Sequence, residues 1–99
     1  MTDTITALAP LRYRLTLFVT GATARSLRAV ENVRRFCEQE LSGLYELEVV
    51  DLYRFPERAK VDQIVAAPTL LRHWPCPARY AIGDMSNNDS LRAAIKVAA

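Results

Sequence analysis

A chain of 99 residues makes one domain with room for a single modest core. It is 51% hydrophobic and 24% charged with only three glycines, which excludes a disordered or low-complexity segment. The net charge of +2 is weak, and Arg34-Arg35 is followed by Glu38 and Glu40, so no cationic stripe for nucleic acid forms.

In chain order, residues 1–12 read as a flexible tail, and residues 13–99 as the domain. "YRLTLFVT" (13–20) alternates, with Tyr13, Leu15, Leu17 and Val19 on one face, and predicts a strand with at least one buried side. Thr23 or Ser26 caps the helix that follows. From Ser26 to Leu41 the apolar positions Leu27, Val30, Val33, Cys37 and Leu41 fall three and four apart, which is one helical stripe; Phe36 lies off its centre. Gly43 suits the left-handed position that ends the helix. "YELEVVDL" (45–52) is a second strand, and two strands joined by such a helix make a right-handed parallel unit. Pro56 opens a second helix running to about Val65. "PTLLRHW" (68–74) and "ARYAIG" (78–83), joined by a rigid Pro75-Cys76-Pro77 turn, predict an antiparallel pair. "NNDSLRAAIKVA" (87–98) is a closing helix with Asn or Asp at its start. The order βαβαββα is that of the thioredoxin-like α/β fold, with a mixed four-stranded sheet.

The turn "TGATARS" (20–26) stands where such folds carry chemistry. It holds one glycine and no lysine, so it is a poor phosphate loop. It holds no cysteine either, so the thiol pair of a redox site is missing. Cys37 falls on the buried stripe, where a thiol acts as a small hydrophobe, and Cys76 sits in the proline turn. Two cysteines without a CxxC spacing read as reduced and cytoplasmic. His73 and Cys76 are too few ligands for a metal, and His73 reads as an ordinary strand histidine rather than the base of a triad. No cofactor and no metal are expected. The N-terminus lacks a signal peptide's pattern, and no run approaches the ~18 apolar residues of a membrane span, so no membrane partner is expected.

The stretch "YRLTLFVTGATARSLRAVENVRRFCEQELSGLYELEVVDL" resembles the opening of the KaiB family. Tyr13, Leu15, Leu17, Val19, Gly21, Thr23, Ser26, Arg28, Ala29, Glu38, Glu40, Gly43, Tyr45, Leu47, Val49 and Asp51 fit the family's pattern. The likeness continues through "IVAAPTL" (64–70), "PCP" (75–77) and "IGDMS" (82–86), and spans residues 13 to about 97 without a gap. It implies a cytoplasmic, non-catalytic binding module that partners a KaiC-like ATPase in circadian timing or a related stress or signalling role. It also implies two folds, a thioredoxin-like monomer that docks on the KaiC ring and an alternative fold stored as a tetramer, so a homo-oligomer (dimer or tetramer) is among the expected states. Pro68 stands at the position of the family's cis proline. Carried over, the KaiC-contacting surface comprises Tyr53, Glu57, Val61, Asp62 and Gln63, with Lys60 adjacent. A thiol-redox protein on the same fold, or an input-type interaction domain of a signalling system, are the competing expectations.

Four departures matter, one of them Pro75-Cys76-Pro77 in place of the family's triple proline, which removes a rigid residue and inserts a thiol. The family's last helix carries a Gly and, two residues on, an Asp; here Ala94 and Lys96 stand there. Ala in place of Gly favours a helix by roughly 1 kcal/mol, and a Lys near its C-terminal end by about 0.3–1 kcal/mol. Folds that differ by a few kcal/mol are shifted by such amounts, so the thioredoxin-like form is expected to dominate; a strand over residues 89–97 would refute this. Glu48 replaces a basic residue on the second strand, where the family recruits KaiA or a signalling kinase, which argues against those partners. Gln63 stands where the family has Lys, and is expected to retune the contact.

Overall fold

The computed structural model describes residues 12–97; of the expected flexible tail, residues 1–11 lie outside the described residues. Four strands, β1 (Tyr13–Val19), β2 (Tyr45–Asp51), β3 (Thr69–Trp74) and β4 (Arg79–Ile82), form one sheet in the order β2-β1-β3-β4. Three helices, α1 (Ala24–Leu41), α2 (Glu57–Val61) and α3 (Asn88–Ile95), complete the βαβαββα order read from the sequence. β1 and β2 are parallel, with Tyr13 beside Tyr45 and Val19 beside Asp51. β3 runs antiparallel to both β1 and β4.

As a central strand, β1 is buried on both faces, and its alternation separates two cores. Tyr13, Leu15, Leu17 and Val19 meet Ala29, Val33, Phe36, Cys37 and Leu41 of α1, Leu70 of β3, and Leu91 and Ile95 of α3. Phe18 points the other way and joins Val50 and Leu71, with Leu52 and Ile64 packed against them. That smaller core lies on the α2 side of the sheet.

Several boundaries differ from the sequence reading. α1 starts two residues early because Thr23 is the cap: its Oγ1 accepts from the Ser26 amide at 3.1 Å. Ser26 is itself buried, accepting from Thr20 N at 3.3 Å through its hydroxyl. Leu27, expected on the stripe, is turned outward and 58% exposed, whereas Phe36, expected off centre, is buried. The helix ends with Ser42 and Gly43 both at positive φ, 49° and 80°. α2 stops at Val61 rather than near Val65, since Gln63 takes φ 58° and swings Ile64 back toward Phe18. α3 stops at Ile95: Lys96 is extended, which brings the Val97 amide to within 3.0 Å of the Tyr13 hydroxyl. Residues 89–95 are helical, and Ala94 packs against the larger core. The Ala67–Pro68, Trp74–Pro75 and Cys76–Pro77 peptide bonds are cis.

Candidate protein-docking surface

The register places Val19, Asp51, Thr69 and Ile82 along one end of the sheet. Two connections meet at that end. Asp51 Oδ1 accepts from the Gly21 amide at 3.0 Å and from the Tyr53 amide at 2.9 Å, tying the β1–α1 turn to the segment that leaves β2. Gly21 has φ 69°, and a Cβ there would lie 3.2 Å from the Tyr53 ring. The positive φ favours glycine, and the exposed Tyr53 ring would have to give by a few tenths of an ångström to admit a Cβ. The remaining polar groups of the turn satisfy one another, Thr23 donating to Ser26 Oγ at 3.0 Å and Ser26 to the Thr20 carbonyl at 3.4 Å. No thiol and no cation stands among residues 20–24.

From Tyr53 the chain passes over the end of the sheet into α2. Tyr53 (73% exposed), Glu57, Lys60, Val61 (72%) and Gln63 all face outward. Asp62 does not. Its carboxylate lies 3.8 Å from Arg58 and its side chain is 18% exposed, while its carbonyl accepts from the Tyr80 hydroxyl at 3.0 Å. Five of the six carried-over positions are thus presented together, and the sixth is a brace beneath them. Val65 (91%), Ile82 (63%), Phe55 and Tyr80, which sequence reasoning did not single out, add further exposed apolar surface at this end. Gln63, Ile64, Val65, Thr69, Tyr80 and Ile82 line a shallow hollow of about 270 Å³. The available signal was the β-branched pair Ile64-Val65, a poor continuation for a helix.

Arg58 holds α2 to the sheet. Its Nη2 and Nη1 bind the two oxygens of Glu48 at 2.9 and 3.2 Å, and its guanidinium lies 5.9 Å from the centre of the Phe18 ring. Glu48 also accepts from Thr16 Oγ1 at 3.3 Å, and Thr16 Oγ1 is 2.8 Å from His73 Nε2. The exposed Glu48 is therefore bound by groups of its own chain. The Arg58 hydrogen bonds hold the Glu48 carboxyl below its usual range. A carboxyl lowered on folding stabilises the fold above the unfolded pKa, and the gain disappears as pH falls through the folded value. The pair is half exposed, so it contributes less than about 1 kcal/mol. Acidification below the ordinary pKa of 4.5 is accordingly expected to loosen α2, seen as faster amide exchange over residues 57–64, and Glu48→Gln to show no such pH step.

The two thiols differ in kind. Burial, followed by the neighbouring Glu38, pushes the Cys37 thiol up to about 12, while Cys76 is exposed. One thiol per folded chain is expected to react with a disulfide reagent at neutral pH, and two after denaturation. Reaction of Cys37 in the native state would contradict its burial. Among the described residues no three His, Cys, Asp or Glu side chains gather as a metal site, and no helix is long and apolar enough to cross a membrane.

The fold and the sequence both have known counterparts. The N-terminal domain of SasA from Synechococcus elongatus superposes with a TM-score of 0.71 at 20% identity, over 86% of this chain and 80% of that one. Mitochondrial thioredoxin 3 from Saccharomyces cerevisiae superposes at 0.68 and 16% identity, over 96% and 87%. These likenesses show the thioredoxin-like fold. In sequence, the circadian clock oscillator protein KaiB of Thermosynechococcus vestitus is 42% identical over 86 residues, 85% of this chain and 80% of the relative. The circadian clock protein KaiB3 of Synechocystis sp. is 38% identical over 80 residues, 81% of this chain and 78% of the relative. The profile of the KaiB domain matches residues 16–97, and the chain belongs to the KaiB family.

Proposed function

We propose that this chain is a non-catalytic regulator that docks on a KaiC-type ATPase in the cytoplasm, in circadian timing or a related stress or signalling role. The observation that carries the reading is the surface at the end of the sheet. Tyr53, Val61 and Val65 are each more than 70% exposed there, around the α2 residues that the family resemblance marks for contact. Large apolar side chains held outward in a cluster are a mark of protein interaction. The rigid support beneath them, Asp51 under Tyr53 and Arg58 under α2, lowers the ordering cost of binding. The relatives' names connect the family with the circadian clock.

The thiol-redox alternative is disfavoured by the cysteine-free turn and by the burial of Cys37. Co-elution of the purified chain with a KaiC-type ATPase from the same cell, with and without ATP, tests the proposal. A complex in either condition supports it, and separate elution in both rejects it. The elution volume of the chain alone reports whether it is a monomer, a dimer or a tetramer.

A further inference from the structure

The larger core contains a cation that the docking surface does not use. Arg72 lies on β3, on the sheet face that carries α1 and α3, and is only 4% exposed. Its cross-strand neighbours are Leu15 and Arg79, so neither offers a carboxylate. The guanidinium donates instead to two backbone carbonyls, from Nη1 to Ile95 at 2.8 Å and from Nη2 to Pro77 at 2.7 Å. Its Nε finds no acceptor among the described residues.

An arginine side chain is a permanent cation, and a buried one must be matched by fixed dipoles or counter-charges. The Ile95 carbonyl is one of the last four of α3, which have no partner within the helix and form the negative end of its dipole. Pro77 belongs to the turn between β3 and β4. One buried side chain thereby joins the sheet, that turn and the end of the last helix.

The other attachments of this segment are few: Ala94 and Val97 pack partly buried against the larger core, and the Val97 amide donates to the Tyr13 hydroxyl at 3.0 Å. Leu91 and Ile95 are the only wholly buried residues of α3 among those described. The ion pairs of Arg92 and Lys96 with Glu40, at 3.1 and 3.4 Å, lie at the surface. A helix of eight residues does not persist by itself in water. It therefore exists docked or not at all.

We propose that Arg72 is a latch for the last helix: residues 88–97 leave the sheet as one unit, and the hold of Arg72 on the Ile95 and Pro77 carbonyls sets how often they do. The latch is independent of any partner of the α2 surface. Native-state hydrogen exchange on the full chain tests it, comparing wild type with Arg72→Gln and Arg72→Lys. In wild type the amides of α3 exchange faster than those of Leu15 and Leu17 in β1, showing that the unit opens while the sheet stays folded. Arg72→Gln speeds α3 exchange by roughly ten- to a hundredfold and leaves the β1 amides within about threefold. Arg72→Lys, which keeps the charge but not the fork, falls between. Equal acceleration of α3 and β1 would make Arg72 a general stabiliser and overturn the latch, as would an unchanged α3. Should Arg72→Gln fail to fold, Arg72→Lys and the wild-type difference between α3 and β1 decide the same question, and equal wild-type rates reject the unit.

Discussion

On the proposed docking to a KaiC-type ATPase, Val61→Asp is expected to weaken binding by roughly tenfold or more while the fold survives, the largest functional effect expected of a single substitution. Val61 ends α2 and is 72% exposed, so the change removes little packing and should alter stability by no more than about 0.5 kcal/mol. In a complex the same side chain would be desolvated. A carboxylate there would have to be buried without a partner, at a cost well above the lost methyl contacts. Reversing Asp62 is a poorer probe, because its carboxylate stands beside Arg58 and the change would disturb the brace of α2 as well as its face. Titration calorimetry with an unchanged far-ultraviolet dichroism spectrum reads the effect. Full affinity in Val61→Asp would remove α2 from the contact.

The largest stability effect belongs to the smaller core. Phe18 is wholly buried between Val50 and Leu71, and its ring also seats the Arg58 guanidinium. Phe18→Ala deletes most of that core and is expected to cost about 3–5 kcal/mol. In a domain of this size the midpoint of thermal unfolding falls on the order of 20 °C. Leu27→Ala is the control. Leu27 also falls in an apolar pattern, yet it is 58% exposed, and its loss should stay within about 0.5 kcal/mol. Equal melting points for the two variants would show that the α2 side of the sheet holds no core.

Two apolar positions of α1 show where reading a sequence stops. Leu27 and Phe36 both sit near the edge of the helical stripe of α1, and periodicity alone assigns them the wrong way round. What decides is the packing of α1 on the sheet, which takes Phe36 into the larger core and leaves Leu27 outside. The contact residues of α2 were carried over from the family resemblance, and their role in docking belongs to the proposal. The engagement of Asp62 beneath the α2 face, and the apolar surface added by Val65 and Ile82, come from segments brought together only by the sheet.

From its own sequence this chain determines the order of its elements, the parallel pairing of β1 with β2, the cap of α1 and its membership of a family. Those properties rest on period, spacing and turn chemistry within a few residues of one another. Only the tertiary structure decides the rotation of α1, the ends of α2 and α3, the Glu48–Arg58 pair and the burial of Arg72. Each of these depends on which distant group packs against a side chain or satisfies a donor, an acceptor or a charge, and such a partner has no position in a local pattern.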